Sequence, residues 1–407
     1  MSRTQHTMPV AVSMLLVLIA GPLAAADVNE GSLSSTPQSS LSYQGHENDT
    51  DSDNLIAVYP ALLGTRLDDC QTCHTGGIVT DADQKEFYLN PCSYCHLVPT
   101  PDASFTVGIP GSFEATLNPF GLDYKNKGRD QKALKDIDGI DSDDDGFTNI
   151  DELIQGRYPG DAGSKPGQPF APTDTLSWEE IHNLDVHNQF MLVNAHRQNF
   201  DHYVAYTGVT VKEILSAVGA DAAGATSVTF IAPDGHAKDF AIEQIKTAFP
   251  AGLYYGNLDP GHFTDPDQGF VTYPPAEFIP EGIEDGGEIP GEQWIMIAYG
   301  REGNDLDPGH LDYTSGTLEG EGPYRSVVPQ SRPGAPDRSS KHPTTYNNGL
   351  DYDDNKEHNS GLCTRGLVAI RINPMPEGYE EFDWKNGGWS LLEHRRILIY
   401  GAGITRK

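Results

Sequence analysis

The sequence predicts a multidomain chain, a small loop-rich α domain followed by a larger α+β domain. Three observations carry that expectation. With 37% hydrophobic residues, 43 glycines and 29 prolines in 407 positions, the composition favours loops over a helical bundle. Four of the five cysteines fall in two short pairs between positions 70 and 95, which marks off a small region organised by its thiols. Beyond position 174, helix and strand signals alternate between long Gly/Pro/Asp stretches.

The first element is an export signal. Arg3 gives a basic start, Val10 to Ala20 is apolar apart from Ser13, Gly21-Pro22 breaks the run, and Ala24-Ala25-Ala26 offers a small-residue cleavage site. An apolar run of about a dozen residues is short for a bilayer span. Residues 1–26 therefore read as a signal peptide, and the mature protein as periplasmic or extracellular, with no membrane span. Residues 27–57, rich in Ser, Asn and Asp, read as a flexible leader. A net charge of −32 excludes nucleic acid and anionic membrane surfaces as partners and suits cations or a basic redox partner protein.

Residues 58–165 form the small domain. Cys70-Gln71-Thr72-Cys73-His74 and Cys92-Ser93-Tyr94-Cys95-His96 both read C-x-x-C-H, the attachment signature of c-type haem. Two thiols one helical turn apart reach the two vinyl groups on one edge of the porphyrin, and the next residue offers its imidazole to the iron. The expected cofactors are thus two haem c groups, with His74 and His96 on the irons. Cys73 and Cys92 are 18 residues apart, so the four thiols also fit a zinc ribbon, or two disulfides. Histidine directly after both pairs, in a chain with 14 His, favours haem, as does export to an oxidising compartment. No motif fixes the distal ligands; the candidates are His46, His182, His187, Met191, His196 and His202.

Asp141 to Glu152 matches the twelve-residue EF-hand-like calcium loop. Asp141, Asp143 and Asp145 place carboxylates at positions 1, 3 and 5, and Gly146 permits the sharp turn at 6. Phe147 offers its carbonyl at 7, Asn149 stands at 9, and Glu152 can bind through both oxygens at 12. A single loop, with Pro159 closing the exiting helix, points to a structural calcium rather than a paired sensor.

Residues 166–173 read as a linker, and residues 174–403 as the α+β domain. Thr210 to Glu213 predicts a capping box and a helix ended by Gly219. Strands are expected at Ser227–Ala232, Trp294–Tyr299, Leu367–Ile372 and Arg396–Tyr400. Leu258-Asp259-Pro260-Gly261-His262 recurs as Leu306-Asp307-Pro308-Gly309-His310 and reads as a repeated turn.

Two resemblances follow from these residues. Residues 70–165 resemble a recurrent module of exported bacterial multihaem c-type cytochromes. That module runs from C-x-x-C-H through N-P-F-G, here Asn118 to Gly121, and the acidic loop to P-G-D, here Pro159 to Asp161. The resemblance implies the haem and calcium ligands already named. Residues from about 200 to 400 resemble the molybdopterin-binding fold of the sulfite oxidase family. The likeness rests on Tyr206 to Val209, Val228 to Gly235, Ile297 to Tyr299 and Gly322 to Pro329. The family's metal-binding Cys has no counterpart here, since no Cys lies between Cys95 and Cys363. This domain is expected to lack molybdenum, and Cys363 to be a buried thiol. The expected function is electron transfer by a soluble dihaem carrier, with no catalytic residue assigned. The alternatives are a haem-linked oxidoreductase with its catalytic site in the C-terminal domain, or a cell-surface protein with accessory haem.

Overall fold

Two mixed β-sheets organise the C-terminal region, and a group of short helices packs around a separate core before it. The structure, a computed structural model, describes residues 50–63, 65–74, 77–80, 86–89, 117–196, 201–220, 224–256, 271–312, 317–337, 352–382, 388 and 391–404. The proposed signal peptide, His46, the second C-x-x-C-H motif and the first copy of the repeated turn lie outside the described residues. Among the described residues, no helix is long and apolar enough to cross a membrane.

The five-stranded sheet runs β3 (Thr173–Leu176), β15 (Ile397–Gly401), β14 (Ala369–Asn373), β6 (Ser227–Ile231), β7 (Ala237–Ala241). Only the β14–β15 pair is parallel. Successive side chains alternate between faces. Ile370, Ile372, Ile397, Ile399, Val228 and Phe230 therefore enter one core cluster, and Ala369, Leu398, Tyr400 and Ile231 enter another. Burial on both faces is why the strands at 367–372 and 396–400 read as nearly continuous apolar runs.

The six-stranded sheet contains the hairpin β4 (His187–Val193) and β5 (Asp201–Thr210), with β9 (Met296–Arg301) on the other edge of β5. Beyond these, β10 (Asn304–Asp305) and β13 (Arg325–Val327) pair with β9, and β8 (Val271–Thr272) runs parallel to β5. The β5–β9 register shifts between Thr207 and Gly208. A Cβ on Gly208 would lie 2.1 Å from the Ile297 carbonyl oxygen, so the close approach requires glycine. The shift sends Val209 into the same cluster as Ile370, while Val204 and Tyr206 pack with Met191 and Met296.

The N-terminal helices are α1 (Thr50–Val58), α2 (Pro119–Lys127), α3 (Gln131–Asp136) and α4 (Asn149–Ile154). Leu55, Leu67, Phe120, Leu134 and Leu153 share their core. Asn118 and Asp130 cap α2 and α3, each accepting a backbone N–H three residues on.

Several sequence expectations need correcting. The leader does not extend to residue 57, because Thr50–Val58 is helical. Asp51 accepts a hydrogen bond from Tyr124 at 2.9 Å and pairs with Arg129, and Leu55 is buried, so tertiary contacts outweigh the polar composition. Helix α4 ends well before Pro159, with Gly156 in the left-handed region at φ 70°. Thr210 caps its helix, α6 (Val211–Ala217), but the reciprocal box belongs to Ser177 and Glu180 at the start of α5 (Trp178–His182). In the histidine-rich stretch, His187 opens β4 and His202 lies near the start of β5, with which β4 pairs antiparallel.

The 166–173 segment is packed rather than free. Phe170 bridges Glu380, and backbone hydrogen bonds join Ala171 to Glu380 and Glu380 to Pro169. The Glu380 carboxylate, 7% exposed, accepts from Arg66 at 2.5 Å, from Ser164 at 3.2 Å and from Arg157. Both guanidinium groups also lie over the Phe170 ring, at 5.0 and 4.0 Å. Replacing Glu380 by Ala leaves two buried cations without their carboxylate, and is expected to lower stability by about 3–5 kcal/mol. Denaturant unfolding of the full chain measures this, and a loss smaller than about 1 kcal/mol would refute the clamp.

Candidate metal centres

The first C-x-x-C-H motif begins in a single 3₁₀ turn, Cys70–Thr72. Gln71 donates its backbone N–H to Asp69 Oδ1 at 2.9 Å, and Thr72 Oγ1 donates to the Leu67 carbonyl at 2.8 Å. Asn118, 3% exposed, holds the turn from the far side of the domain. Its Nδ2 donates to the Gln71 and Thr72 carbonyls at 3.1 Å each, and its own N–H donates to the Cys73 carbonyl at 2.9 Å. Leu117 bridges His74 through the backbone.

The other expected motif pieces close on the same place. A Cβ on Gly121 would lie 2.2 Å from the Cys73 carbonyl oxygen, and one on Gly160 would lie 2.5 Å from Asn118 Oδ1. The N-P-F-G string thus packs against the cysteine motif through Gly121, and the P-G-D string packs against Asn118 through Gly160. Cys73 and His74 are both partly exposed.

The acidic loop folds as its spacing requires. Asp141, Asp143 and Asp145 bring one carboxylate oxygen each to within 4.8 Å of one another. Gly146 adopts φ 101° and donates its N–H to Asp141 Oδ2 at 2.9 Å, while the Phe147 N–H donates to Asp145 Oδ1 at 2.9 Å. Asn149 is fully buried, and its Nδ2 donates to the Ile137 carbonyl and to Ser142 Oγ. Ser142 in turn donates to Asp123 at 2.8 Å, which ties the loop to α2.

Five side-chain oxygens of the loop lack a hydrogen-bond donor, and Lys165 Nζ lies 3.9 Å from Asp145 Oδ2. Both Glu152 oxygens, Asp143 Oδ2, Asp145 Oδ2 and Asn149 Oδ1 are buried and have no hydrogen-bond partner. Buried polar atoms are rarely left so, because each costs free energy. Burial, then the charges of Asp143, Asp145 and Asp141, push the Glu152 carboxyl up to about 9. Burial, then Asp145, raise Asp143 to about 6. A hard cation taking six to eight oxygens satisfies all of these atoms together. This donor set, oxygen-only and strongly anionic, fits calcium. Asp161, from the P-G-D string, adds to the same negative field and was not among the residues expected at the site.

The distal-ligand candidates are engaged elsewhere. His182 Nδ1 is 2.7 Å from the Trp178 carbonyl, and its ring lies 3.9 Å from that of Tyr299. His187 pairs with Gln189, whose Nε2 donates to Met191 Sδ at 3.3 Å. His196 meets the Tyr352 hydroxyl at 2.6 Å, and His202 meets Thr272 Oγ1 at 2.5 Å.

Sequence reasoning missed one feature. A cavity of about 150 Å³ in the C-terminal region is lined by His202, Arg301, Glu321, Arg325 and Arg365, with Cys363 in its wall. Cys363 is buried, as expected, and its thiol donates to the Asn359 carbonyl at 3.5 Å. No local pattern flags this cavity, since its members lie on separate strands and loops far apart in the chain.

The calcium loop makes a pH-dependent prediction. Free of metal, Glu152 holds its proton far above the usual value of 4.5. A pKa raised on folding contributes stability that is full below the unfolded value and is lost as pH rises through the folded one. In chelator, the melting temperature is therefore expected to fall from about pH 5 to about pH 8, and calcium to restore it most at the upper end. Glu152→Gln should weaken the response to calcium and confine the remaining pH dependence to about pH 4–6, where Asp143 titrates. A melting curve insensitive to pH and to calcium would refute the assignment.

The chain matches no protein-family model, no curated protein and no solved structure.

Proposed function

We propose that this chain is an exported c-type cytochrome, a carrier that relays electrons through two covalently attached haems beside a structural calcium. The observation that most supports the reading is the convergence on Cys70–Thr72. Asn118, remote in sequence, makes three hydrogen bonds to the Gln71, Thr72 and Cys73 carbonyls, Gly121 closes on the Cys73 carbonyl, and Gly160 closes on Asn118 itself. Bound haem supplies reversible one-electron chemistry at its iron.

The chain's own residues attach, orient and shield. Cys70 and Cys73 are the thioether donors and His74 the axial ligand, with Cys92, Cys95 and His96 in the same roles at the second motif. Covalent attachment suits a domain whose core is small. Asn118 holds the turn so that thiol and imidazole keep their spacing. Calcium, bound by Asp141, Asp143, Asp145, the Phe147 carbonyl, Asn149 and Glu152, neutralises buried acid and fixes the start of α4. The acidic surface favours encounter with a basic redox partner. The C-terminal α+β region, read as a sulfite-oxidase-like fold without molybdenum, serves as scaffold and docking surface.

The arginine-lined cavity favours one second reading, a haem-linked oxidoreductase whose catalytic site lies in the C-terminal region. Turnover of a small substrate coupled to haem reduction would distinguish it from a carrier.

Haem staining after denaturing electrophoresis, with intact mass, tests the main reading. The expected result is a stained band whose mass exceeds the apo chain by two haems. Replacing Cys92 and Cys95 by Ala should leave one. An unstained band, or the apo mass plus one zinc, would overturn it.

A further inference from the structure

The acidic loop faces a cation that the chain itself supplies. Lys165 Nζ lies 3.9 Å from Asp145 Oδ2, where the Asp145 side chain is buried and that of Lys165 is 44% exposed. Among the described residues, no other Lys or Arg forms an ion pair with Asp141, Asp143, Asp145 or Glu152. Against this one ammonium stand those four acids and Asp161, whose charge acts on Glu152 from outside the loop.

The backbone of Lys165 is held on both sides. Just before it, the Ser164 N–H donates to the Asp161 carbonyl at 2.8 Å. Ser164 Oγ accepts from the Tyr158 N–H at 3.1 Å and donates to Glu380 Oε1 at 3.2 Å. The Lys165 N–H donates to Gln168 Oε1 at 3.2 Å, and the Gln168 N–H returns to the Lys165 carbonyl at 3.1 Å. The Glu380 clamp therefore sets the root of this side chain beside the loop. Its flexible four-carbon stem is the part that can move.

At 3.9 Å the ammonium screens Asp145 without satisfying it, since Asp145 Oδ2 has no hydrogen-bond partner. A divalent cation does both, because it carries twice the charge and coordinates the oxygen directly. An ammonium kept beside such an ion would repel it. We infer that Lys165 is a tethered counter-ion of the acidic loop, one that calcium must displace into solvent and that therefore lowers the loop's affinity for calcium. Displacement is easy, because the side chain is already half exposed and an ammonium is strongly hydrated. The half-exposed pair contributes little to folding by itself, whereas its repulsion of a doubly charged ion is larger. Lys165 thus favours the loop without metal and opposes the loop with it. The inference rests on the reading of this loop as a calcium site and does not depend on haem.

Isothermal titration of the chelator-treated full chain with calcium chloride, at fixed ionic strength, tests this on the parent and on variants of Lys165. Lys165→Gln and Lys165→Met should bind calcium about three- to tenfold more tightly. Lys165→Arg keeps the charge and should stay within about twofold of the parent. The side chain makes no hydrogen bond that folding needs, so all three variants should retain the fold. Thermal melting gives a second readout. In chelator Lys165→Gln should melt below the parent, and calcium should raise its melting temperature by more than it raises the parent's. A general loss of stability would not produce that pair of opposite changes. Absence of calcium binding in both the parent and Lys165→Gln would overturn the calcium reading, and this inference with it. Equal affinities in the parent and Lys165→Gln, or equal tightening in Lys165→Arg and Lys165→Gln, would overturn the role of Lys165 and leave the calcium site standing.

Discussion

A single buried carboxylate, Glu380, holds the cysteine-bearing region against the sheets. It accepts from Arg66, four residues before Cys70, and from Arg157, just after α4. The Arg157 N–H donates to the Glu152 carbonyl at 2.8 Å, so the clamp lies one turn from the acid that closes the calcium loop. Ser164 and the Phe170 ring complete the enclosure. Three cysteine-module landmarks are thereby anchored by one residue from the far end of the chain.

The same electrostatic rule governs three places in different ways. At Glu380, two guanidinium groups share one carboxylate, and aromatic faces take up part of the excess. In the acidic loop, carboxylates crowd together with five side-chain oxygens left without a hydrogen-bond donor, an arrangement that a bound proton or cation relieves. In the C-terminal cavity the sign reverses: Arg301, Arg325 and Arg365 line it against Glu321, with Glu302 3.5 Å from Arg301. Strong net charge outside says little about the sign of a site inside. That is set by which few charges the fold buries.

How much of this was legible depended on whether the signal was local. The turn of the acidic loop was legible because Asp141, Asp143, Asp145 and Gly146 lie close in sequence and the left-handed turn demands glycine. The strands at 227–231, 296–301, 369–373 and 397–401 were legible as apolar runs. The β4–β5 pair was obscured because Tyr203 and Val204 are adjacent and both buried, which breaks the period-two pattern of a half-buried strand. Asn118 was visible as part of a string, but its contact with the Gln71 and Thr72 carbonyls is long-range and left no local trace. The arginine cavity and the Glu380 clamp were illegible for the same reason. Their members are single charged residues, indistinguishable in sequence from solvated ones.

The N-terminal helices explain why so many cross-ties are needed. They are six to nine residues long, well below the length at which an isolated helix persists in water. Among the described residues their shared core contains Phe120, Tyr59, Tyr124 and Tyr158 with six Leu or Ile side chains. Such a region gains its order from ties that fix several short segments together: Asn118 on the cysteine turn, Ser142 on Asp123, Asp51 on Tyr124, and Glu380 on two arginines. Each tie joins segments distant in sequence, so each restricts the unfolded chain more than a local contact would. Short helices and long-range polar ties are therefore one solution, in which each tie fixes segments that no single helix could order alone.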